Sequence, residues 1–560
     1  MPETDIPVYE ALVTDIKNLG VECVFGLMSD DTAELVALID AAGMRFYSAR
    51  HENNAVSMAE GYAAATGRLG IALIGRGPAT ANSMNGINYA NRTGSPVLVL
   101  YGDAANTGPQ PNALGPDLKS LNSQAVLEAV GIKTFRASDG LTARSTFVQA
   151  AASALSRTTA LLLPVNILQA RVSPTDTVPE GIDPVLPAPQ PARDSAVRSA
   201  TSLLEKSRKP LIIAGAGAHA AGARDAIIKL ADQIGAALVT SLKGKDMFRG
   251  HPFDCGILGS LSHAGGRWLI DQADCILAIG VGLNQMTTSY RQALPEGAPL
   301  IHVDNCRPHI GRWYDADVSL VGDARLVAEQ LCDIIPARSQ AEMEMRTKEN
   351  SRWLAGFTLA DDFEARHTEH TVDSRSLTLE LVRLLPENRN VVWDSGNMLG
   401  NATYFSVPGP SHFKHTSDTA SIGMGFGTAM GFAAGTPERT TVLAMGDGSF
   451  LMNQGELETV AREDIPLVIV IYNDCAYGAE LHYLKEKNIP VNLTQFPDID
   501  YAPIAEAYGF KAYTVRSLDD LRAIAPVLEK PEGQIFLDCK INAAVAAPFM
   551  LEIAELSRKK

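Results

Sequence analysis

Two short polar stretches carry the chemistry for which this sequence can be read. Gly446-Asp447-Gly448 follows the apolar run Val442 to Met445, and Asn473 closes a second apolar run, Leu467 to Tyr472. Glycines let backbone N–H groups approach a phosphate, and the hard oxygens of Asp447 and Asn473 suit a magnesium ion that also holds phosphate oxygens. A strand, turn, helix, strand unit would deliver both residues to the edge of a parallel sheet where ligands bind. The unit reads as a metal-bridged diphosphate site. Gly-Asp-Gly alone is also a common tight turn, so the reading leans on the second strand and its Asn.

With Asn473 at this spacing, the stretch resembles the signature of thiamine-diphosphate enzymes. The resemblance implies that Asp447, Asn473 and the backbone carbonyl of Cys475 hold magnesium, with Gly446, Gly448, Ser449 and Gly478 around the diphosphate. A second stretch, His51-Glu52-Asn53-Asn54-Ala55 continuing through Met58-Ala59-Glu60-Gly61-Tyr62-Ala63, resembles the acetolactate synthase and pyruvate decarboxylase group. In that group the Glu bonds the pyrimidine ring and drives loss of the thiazolium C2 proton; Glu52 matches its position. The competing reading is a first-turn carboxylate that complements the helix dipole. By the same resemblance Gly396, Asn397 and Met398 help hold the diphosphate. Ile422, with Met424 as the near alternative, is the apolar wedge beneath the cofactor, and the carbonyl of Ala420 accepts from its amino group.

The substrate end is less specific. Asp30 falls where pyruvate decarboxylase has an active-site Asp, although Asp30 or Asp31 also reads as a helix N-cap. Glu480 falls near that enzyme's Glu, and a carboxyl pair with one member neutral near pH 7 could relay a proton. The alternative for Glu480 is a solvated helix face beside Lys485, and for His482 a surface or helix-end histidine rather than a proton donor. Arg76 could pair a substrate carboxylate bidentately or form a structural salt bridge. Ala79, Gln124 and Tyr477 complete the candidate substrate positions.

The sequence also departs from both named enzymes. The apolar-Gln-Glu cluster of acetolactate synthases is absent where Lys119-Ser120-Leu121 stands, as is their Trp near Tyr483. The His pair of pyruvate decarboxylases is absent too, since no His occurs between His51 and His219. Decarboxylation of a 2-oxo acid, carboligation to a 2-hydroxy ketone, or both is the first expectation. A lyase or C–C hydrolase of 2-hydroxy ketones or diketones is the alternative, and a non-catalytic nucleotide or flavin scaffold is the remote one.

The elements that must position these residues read as α/β: three doubly wound parallel-sheet domains (pyrimidine-binding, middle, diphosphate-binding). The expected boundaries are 1–172, a Pro-rich linker at 173–192, 193–336, a connecting segment at 337–373, and 374–560. A faint internal repeat relates Gly61-Tyr62-Ala63-Ala64, the strand Gly70 to Ile74 and Gly75-Arg76-Gly77 to Gly431-Phe432-Ala433-Ala434, the strand Thr441 to Met445 and Gly446-Asp447-Gly448. In the middle section Gly215-Ala216-Gly217 begins a dinucleotide fingerprint that fails at Ala220, and Val281-Gly282-Leu283-Asn284-Gln285 replaces a flavin-type stretch. FAD is therefore not expected there, though not excluded.

At 560 residues, 46% apolar and with a net charge of −16, the chain is long enough for about three domains. It has no Lys/Arg-rich run and no apolar run of about 20 residues, which argues against nucleic acid or membrane as partner. Seven scattered cysteines and the absence of a leader-like N-terminus give a cytoplasmic expectation. In the resembling family the site lies between subunits, which implies at least a homodimer and by extension a homotetramer. The apolar stretch Asn542 to Met550 is a candidate lid or a subunit contact.

Overall fold

Short apolar runs that alternate with amphipathic stretches form parallel strands covered by helices, the arrangement in which strands can be buried on both faces. The computed structural model describes residues 5–107, 118–119, 121–174 and 188–558. Pro179, Pro184 and Pro187 of the expected linker, and residues 108–117 and 120 of the polar loop Gly102 to Ser123, lie outside the described residues.

The N-terminal sheet contains β1 (Cys23–Gly26), β2 (Arg45–Ser48), β3 (Gly70–Ile74), β4 (Val97–Asp103), β5 (Lys133–Arg136) and β6 (Thr159–Pro164), in the order β2-β1-β3-β4-β6-β5. The middle sheet contains β7 (Pro210–Ala214), β8 (Ala237–Thr240), β9 (Asp254–Ile257), β10 (Cys275–Ile279), β11 (Leu300–Asp304) and β12 (Val318–Val321), ordered β9-β8-β7-β10-β11-β12. The C-terminal sheet contains β13 (Arg389–Trp393), β14 (Phe413–His415), β15 (Thr440–Gly446), β16 (Leu467–Asn473), β17 (Lys511–Val515) and β18 (Gln534–Lys540), ordered β14-β13-β15-β16-β18-β17. Every pairing within the three sheets is parallel. The segment after the middle sheet docks back on it: Arg346 Nε donates to Ala236 O at 2.9 Å and Trp353 Nε1 to Gly265 O at 3.0 Å.

The two outer sheets have the same strand order, so the faint sequence repeat is a repeat of topology. Helix α1 (Glu52–Thr66) follows the second strand of its sheet and α2 (Met424–Gly435) follows the second strand of the other. These two helices pack on each other through matching glycines. A Cβ on Gly61 would lie 2.1 Å from Thr428 O, and one on Gly431 would lie 2.0 Å from Met58 O. The offset that aligns Gly61 with Gly431 also aligns Glu52 with Ile422. Beside the crossing, Glu60 is fully buried, ion-paired with Lys414 and bonded by Ser95 Oγ at 2.7 Å. Within the chain, this packing joins the N-terminal domain to the C-terminal one.

Two measurements follow from this packing. Gly431→Ala is expected to cost about 1–3 kcal/mol or more, because backbone carbonyls cannot yield as side chains do; chemical denaturation would show it, and unchanged stability would refute the close approach. His415, at the end of β14, is buried, which lowers its pKa from 6.5 to about 4. Its folded pKa lies below its unfolded one, so the associated stability is complete above pH 6.5 and is lost as pH falls towards 4. That loss amounts to about 3 kcal/mol. His415→Gln is expected to flatten this part of the pH–stability curve.

Candidate active site

Glu52 is the first residue of α1, half-buried, and follows the N-cap His51, whose Nδ1 accepts from Asn53 N–H at 3.1 Å. Asn82 Nδ2 donates to Glu52 Oε2 at 3.1 Å. The helix start is anchored on the C-terminal domain by Glu456, which is 1% exposed and accepts from the N–H groups of Arg50 (3.0 Å) and His51 (3.1 Å) and from Asn54 Nδ2 (2.9 Å). Nothing in the sequence marked Glu456, because its role is long-range.

The loops after β13 and β15 flank the point where strand order reverses, the usual ligand crevice of an open α/β sheet. Asp394, fully buried after β13, accepts from Thr416 Oγ1 at 2.5 Å, Gly423 N–H at 2.8 Å, Gly425 N–H at 3.2 Å and Ser449 Oγ. One carboxylate therefore ties the segment carrying Ile422 to the helix α3 (Asp447–Asn453). Asn453 closes the link to Glu52's helix: its Oδ1 accepts from Asn54 Nδ2 at 2.9 Å and its Nδ2 donates to Gly423 O at 3.1 Å. Gly396, at φ 121, and Gly446 both face open space, where a Cβ would meet nothing.

Asp447 is 1% exposed, and its Oδ2 has no hydrogen-bond partner among the described residues. Burial pushes its pKa up to about 7. Asp474 lies against it and is also pushed up, by burial and by the Asp447 charge. Two carboxyls so placed must share a proton or take a cation. Asn473, 2% exposed at the end of β16, turns Oδ1 to Cys475 N–H at 3.2 Å. Cys475 takes φ 55, in the left-handed region that non-glycine residues rarely occupy, and its carbonyl accepts from Phe496 N–H at 2.6 Å. A carbonyl has a second lone pair, so carboxylate, amide oxygen and carbonyl form a hard-oxygen set that fits magnesium. Asp474, adjacent to Asn473, was legible as a residue but not as the partner of Asp447.

Other expected site residues are placed as follows. Gly478 is buried, and a Cβ there would meet Asp474 Oδ2 at 2.3 Å, so a larger residue would displace that carboxyl. The Tyr477 ring covers Gly448 and packs edge-on against Phe496, with centroids 4.6 Å apart. Ser449's hydroxyl is engaged by Asp394. Met398 is buried. Ala420 has φ 55 and is exposed. Met424 is buried with Sδ 3.6 Å from Asn53 Nδ2, so it belongs to the domain interface, while Ile422 stays half-exposed.

Several expectations need correction. Neither Asp30 nor Asp31 caps the next helix, whose N-cap is Thr32. Asp30 is exposed and ion-paired with Lys119, which holds its carboxyl far below the usual range. Asp31, not Asp30, is buried: its side chain is 3% exposed and accepts from Arg76 N–H at 2.9 Å. Glu480 is exposed on the first turn of α4 (Gly478–Glu486). The structure therefore gives the expected Asp30/Glu480 relay no neutral acid at Asp30. His482 is not a surface residue; it is 5% exposed beneath the C-terminal stretch at Val545, and burial lowers its pKa. Asn397 spends its side chain on the same stretch, donating to Val545 O at 3.0 Å and accepting from Ala547 N–H at 2.8 Å. Arg76 lines a cavity of about 190 Å³ with Asp30, Asp31 and Glu34, acidic company that disfavours a role for it as a substrate carboxylate's partner. Gln124 is exposed and bonds along its own helix to Glu128 Oε1 at 2.9 Å, and Ala79 is half-buried against the core.

Comparison with known proteins agrees with this geometry. Residues 6–122 match the thiamine pyrophosphate enzyme N-terminal TPP binding domain, residues 197–331 the central domain and residues 394–539 the C-terminal TPP binding domain. The chain is 26% identical to a probable acetolactate synthase large subunit of Methanocaldococcus jannaschii, covering 97% of this chain and 93% of the relative. It is 29% identical to a probable 2-ketoarginine decarboxylase of Pseudomonas aeruginosa, covering 93% and 91%. It is 27% identical to a sulfoacetaldehyde acetyltransferase of Castellaniella defragrans, covering 93% and 90%. A chain matched by all three domains in their order, with the Glu52 helix joined through Asn54 and Asn453 to the helix that begins at Asp447, belongs to the thiamine pyrophosphate enzymes of the acetolactate synthase and decarboxylase family.

Proposed function

We propose that this enzyme uses thiamine diphosphate and magnesium to decarboxylate a 2-oxo acid and to join the remaining acyl unit to a second carbonyl. The observation that carries the reading is the docking of Glu52's helix, through Asn54 and Asn453, onto the helix that begins with the buried Asp447. Bound thiamine diphosphate supplies the carbon nucleophile and the electron sink beside the substrate carbonyl. Asp447, Asn473 and the Cys475 carbonyl would hold the metal, and the positive charge would relieve the Asp447/Asp474 pair. Asn82 occupies Glu52 Oε2 and leaves Oε1 to exchange a proton with the aminopyrimidine ring. Ile422 would support the cofactor from below.

Transfer to an acceptor is preferred to protonation because the carboxyl pair expected to supply a proton is not set up for it. Asp30 is held ionised by Lys119, and Glu480 faces solvent. No flavin enters this reading. At the middle sheet's switch point the loops close on each other, with Gly217 N–H donating to Gly280 O at 2.9 Å. Among the described residues no helix is long and apolar enough to cross a membrane. A cytoplasmic homodimer, or a tetramer of two dimers, completes the proposal. Its supports are seven free cysteines and the exposed apolar residues Met452 (66%) and Leu493 (88%).

Carbon dioxide release from a panel of 2-oxo acids, with and without aldehyde acceptors, tests this reading. Acceptor-stimulated release with formation of a 2-hydroxy ketone is expected. Silence across the panel, with cleavage of 2-hydroxy ketones instead, would replace it by the lyase reading. Glu52→Gln is expected to lower turnover by about 10²–10⁴-fold while magnesium-dependent cofactor binding persists. Asp447→Asn is expected to weaken that binding by about tenfold or more, as calorimetry would show.

A further inference from the structure

We propose that Asp538 is a positioning residue for the metal that acts through Asn473, by deciding which face of the Asn473 amide meets the cation. The inference rests on the reading of Asp447 and Asn473 as metal-holding residues. Asp538 is on β18, paired with Ile471 of β16, so that Asn473 is its diagonal neighbour two residues along. It is fully buried.

Asn473 Nδ2 donates to Asp538 Oδ1 at 2.8 Å, while Asn473 Oδ1 accepts from Cys475 N–H at 3.2 Å. Asp538 takes donors at both oxygens, from Asn473 Nδ2 at Oδ1 and from Tyr501 N–H and Lys540 at Oδ2, and a backbone N–H only donates, so these two partners admit one orientation of the amide. That orientation turns the hard oxygen towards the Cys475 turn, where the cation would sit, and keeps the NH2 group away. Asp538 is itself held in place. Its Oδ2 accepts from Tyr501 N–H at 2.8 Å and lies 3.2 Å from Lys540 Nζ. Lys540 is 2% exposed, lies 2.9 Å from Asp498 Oδ1 and donates to Ile499 O at 2.6 Å.

Asp538→Asn preserves shape but breaks this logic. The Tyr501 N–H and the Lys540 ammonium both require an oxygen, so the new NH2 group at position 538 turns towards Asn473 Nδ2. Two donors then meet, and the Asn473 amide escapes by flipping, which presents its NH2 group to the Cys475 N–H and to the cation. Asn473→Asp in the same chain repairs the clash. Position 473 then offers an oxygen on both sides, one accepting from the amide at 538 and one free for the metal. Asn473→Asp alone sets two buried carboxylates against each other.

The test is magnesium titration by calorimetry at saturating thiamine diphosphate, with melting temperatures, for the full wild-type chain, D538N, N473D and N473D/D538N. D538N is expected to lose about tenfold or more in magnesium affinity. The double variant is expected to regain most of that loss and to bind more tightly than N473D. A merely structural role would lower melting temperatures without this recovery. Wild-type affinity in D538N, or a double variant no tighter than N473D, would overturn the proposal. If D538N does not fold, the comparison of N473D with the double variant decides alone. Magnesium binding absent from the wild type would overturn the metal reading itself, and this role with it, whereas intact wild-type binding with an unaffected D538N overturns the role alone.

Discussion

The reciprocal contact of two glycines holds this molecule's site together. Gly61 and Gly431 let α1 and α2 approach until each helix meets the other's backbone carbonyl, at Thr428 and Met58. Any side chain there would push the helices apart, and with them the two helix starts, because Glu52 opens α1 and Ile422 stands two residues before α2. Burial of Glu60 against Lys414 beside the crossing makes separation costlier still, since parting such a pair strands an uncompensated charge. Two copies of one sheet topology, joined through equivalent helices, thus bring Glu52 from one copy towards the helix that begins at Asp447 in the other.

The C-terminal half of the candidate site is dominated by buried carboxyls. Asp447 and Asp474 are carboxyls in a desolvated place, and both are pushed towards their neutral forms. Cys475, next to Asp474, holds a left-handed backbone conformation, as does Ala420, two residues before Ile422. Strain and uncompensated charge of this kind persist where surrounding structure over-determines them, and here Asp394, Glu456 and Asp538 provide that structure. Each is a buried carboxylate whose donors come from segments distant in sequence.

The substrate end differs in character. Lys119 offsets Asp30 and Asp31 at the edge of the N-terminal sheet, where the Arg76 backbone N–H also donates to Asp31, and the C-terminal stretch is pinned by Asn397. Compensated charges are poor acids and poor anchors for a substrate carboxylate. This is why the motif-rich cofactor site supports a sharper reading than the substrate pocket does.

The sequence by itself determined the α/β class, the three-domain order, the Glu52 stretch and the Asp447/Asn473 pair. Strand–turn–helix units are written locally, in apolar runs and in the glycines and hard-oxygen residues that end them. It also carried the repeat, faintly, because close helix packing demands glycine at equivalent places. Only the tertiary structure decided which side chains of a motif remain available. Asn397 and Ser449 sit in the cofactor loops, yet their side chains are bonded within the protein; Asp30 is neutralised by Lys119 from a distant loop; His482 is buried by the C-terminal stretch. It alone revealed Glu456 and Asp538, whose work is done across a domain interface and across a sheet. A one-dimensional pattern records what a residue can donate or accept, whereas its partners, and hence its charge state and orientation, come from segments distant in the chain, as Arg50 and Asn54 are from Glu456.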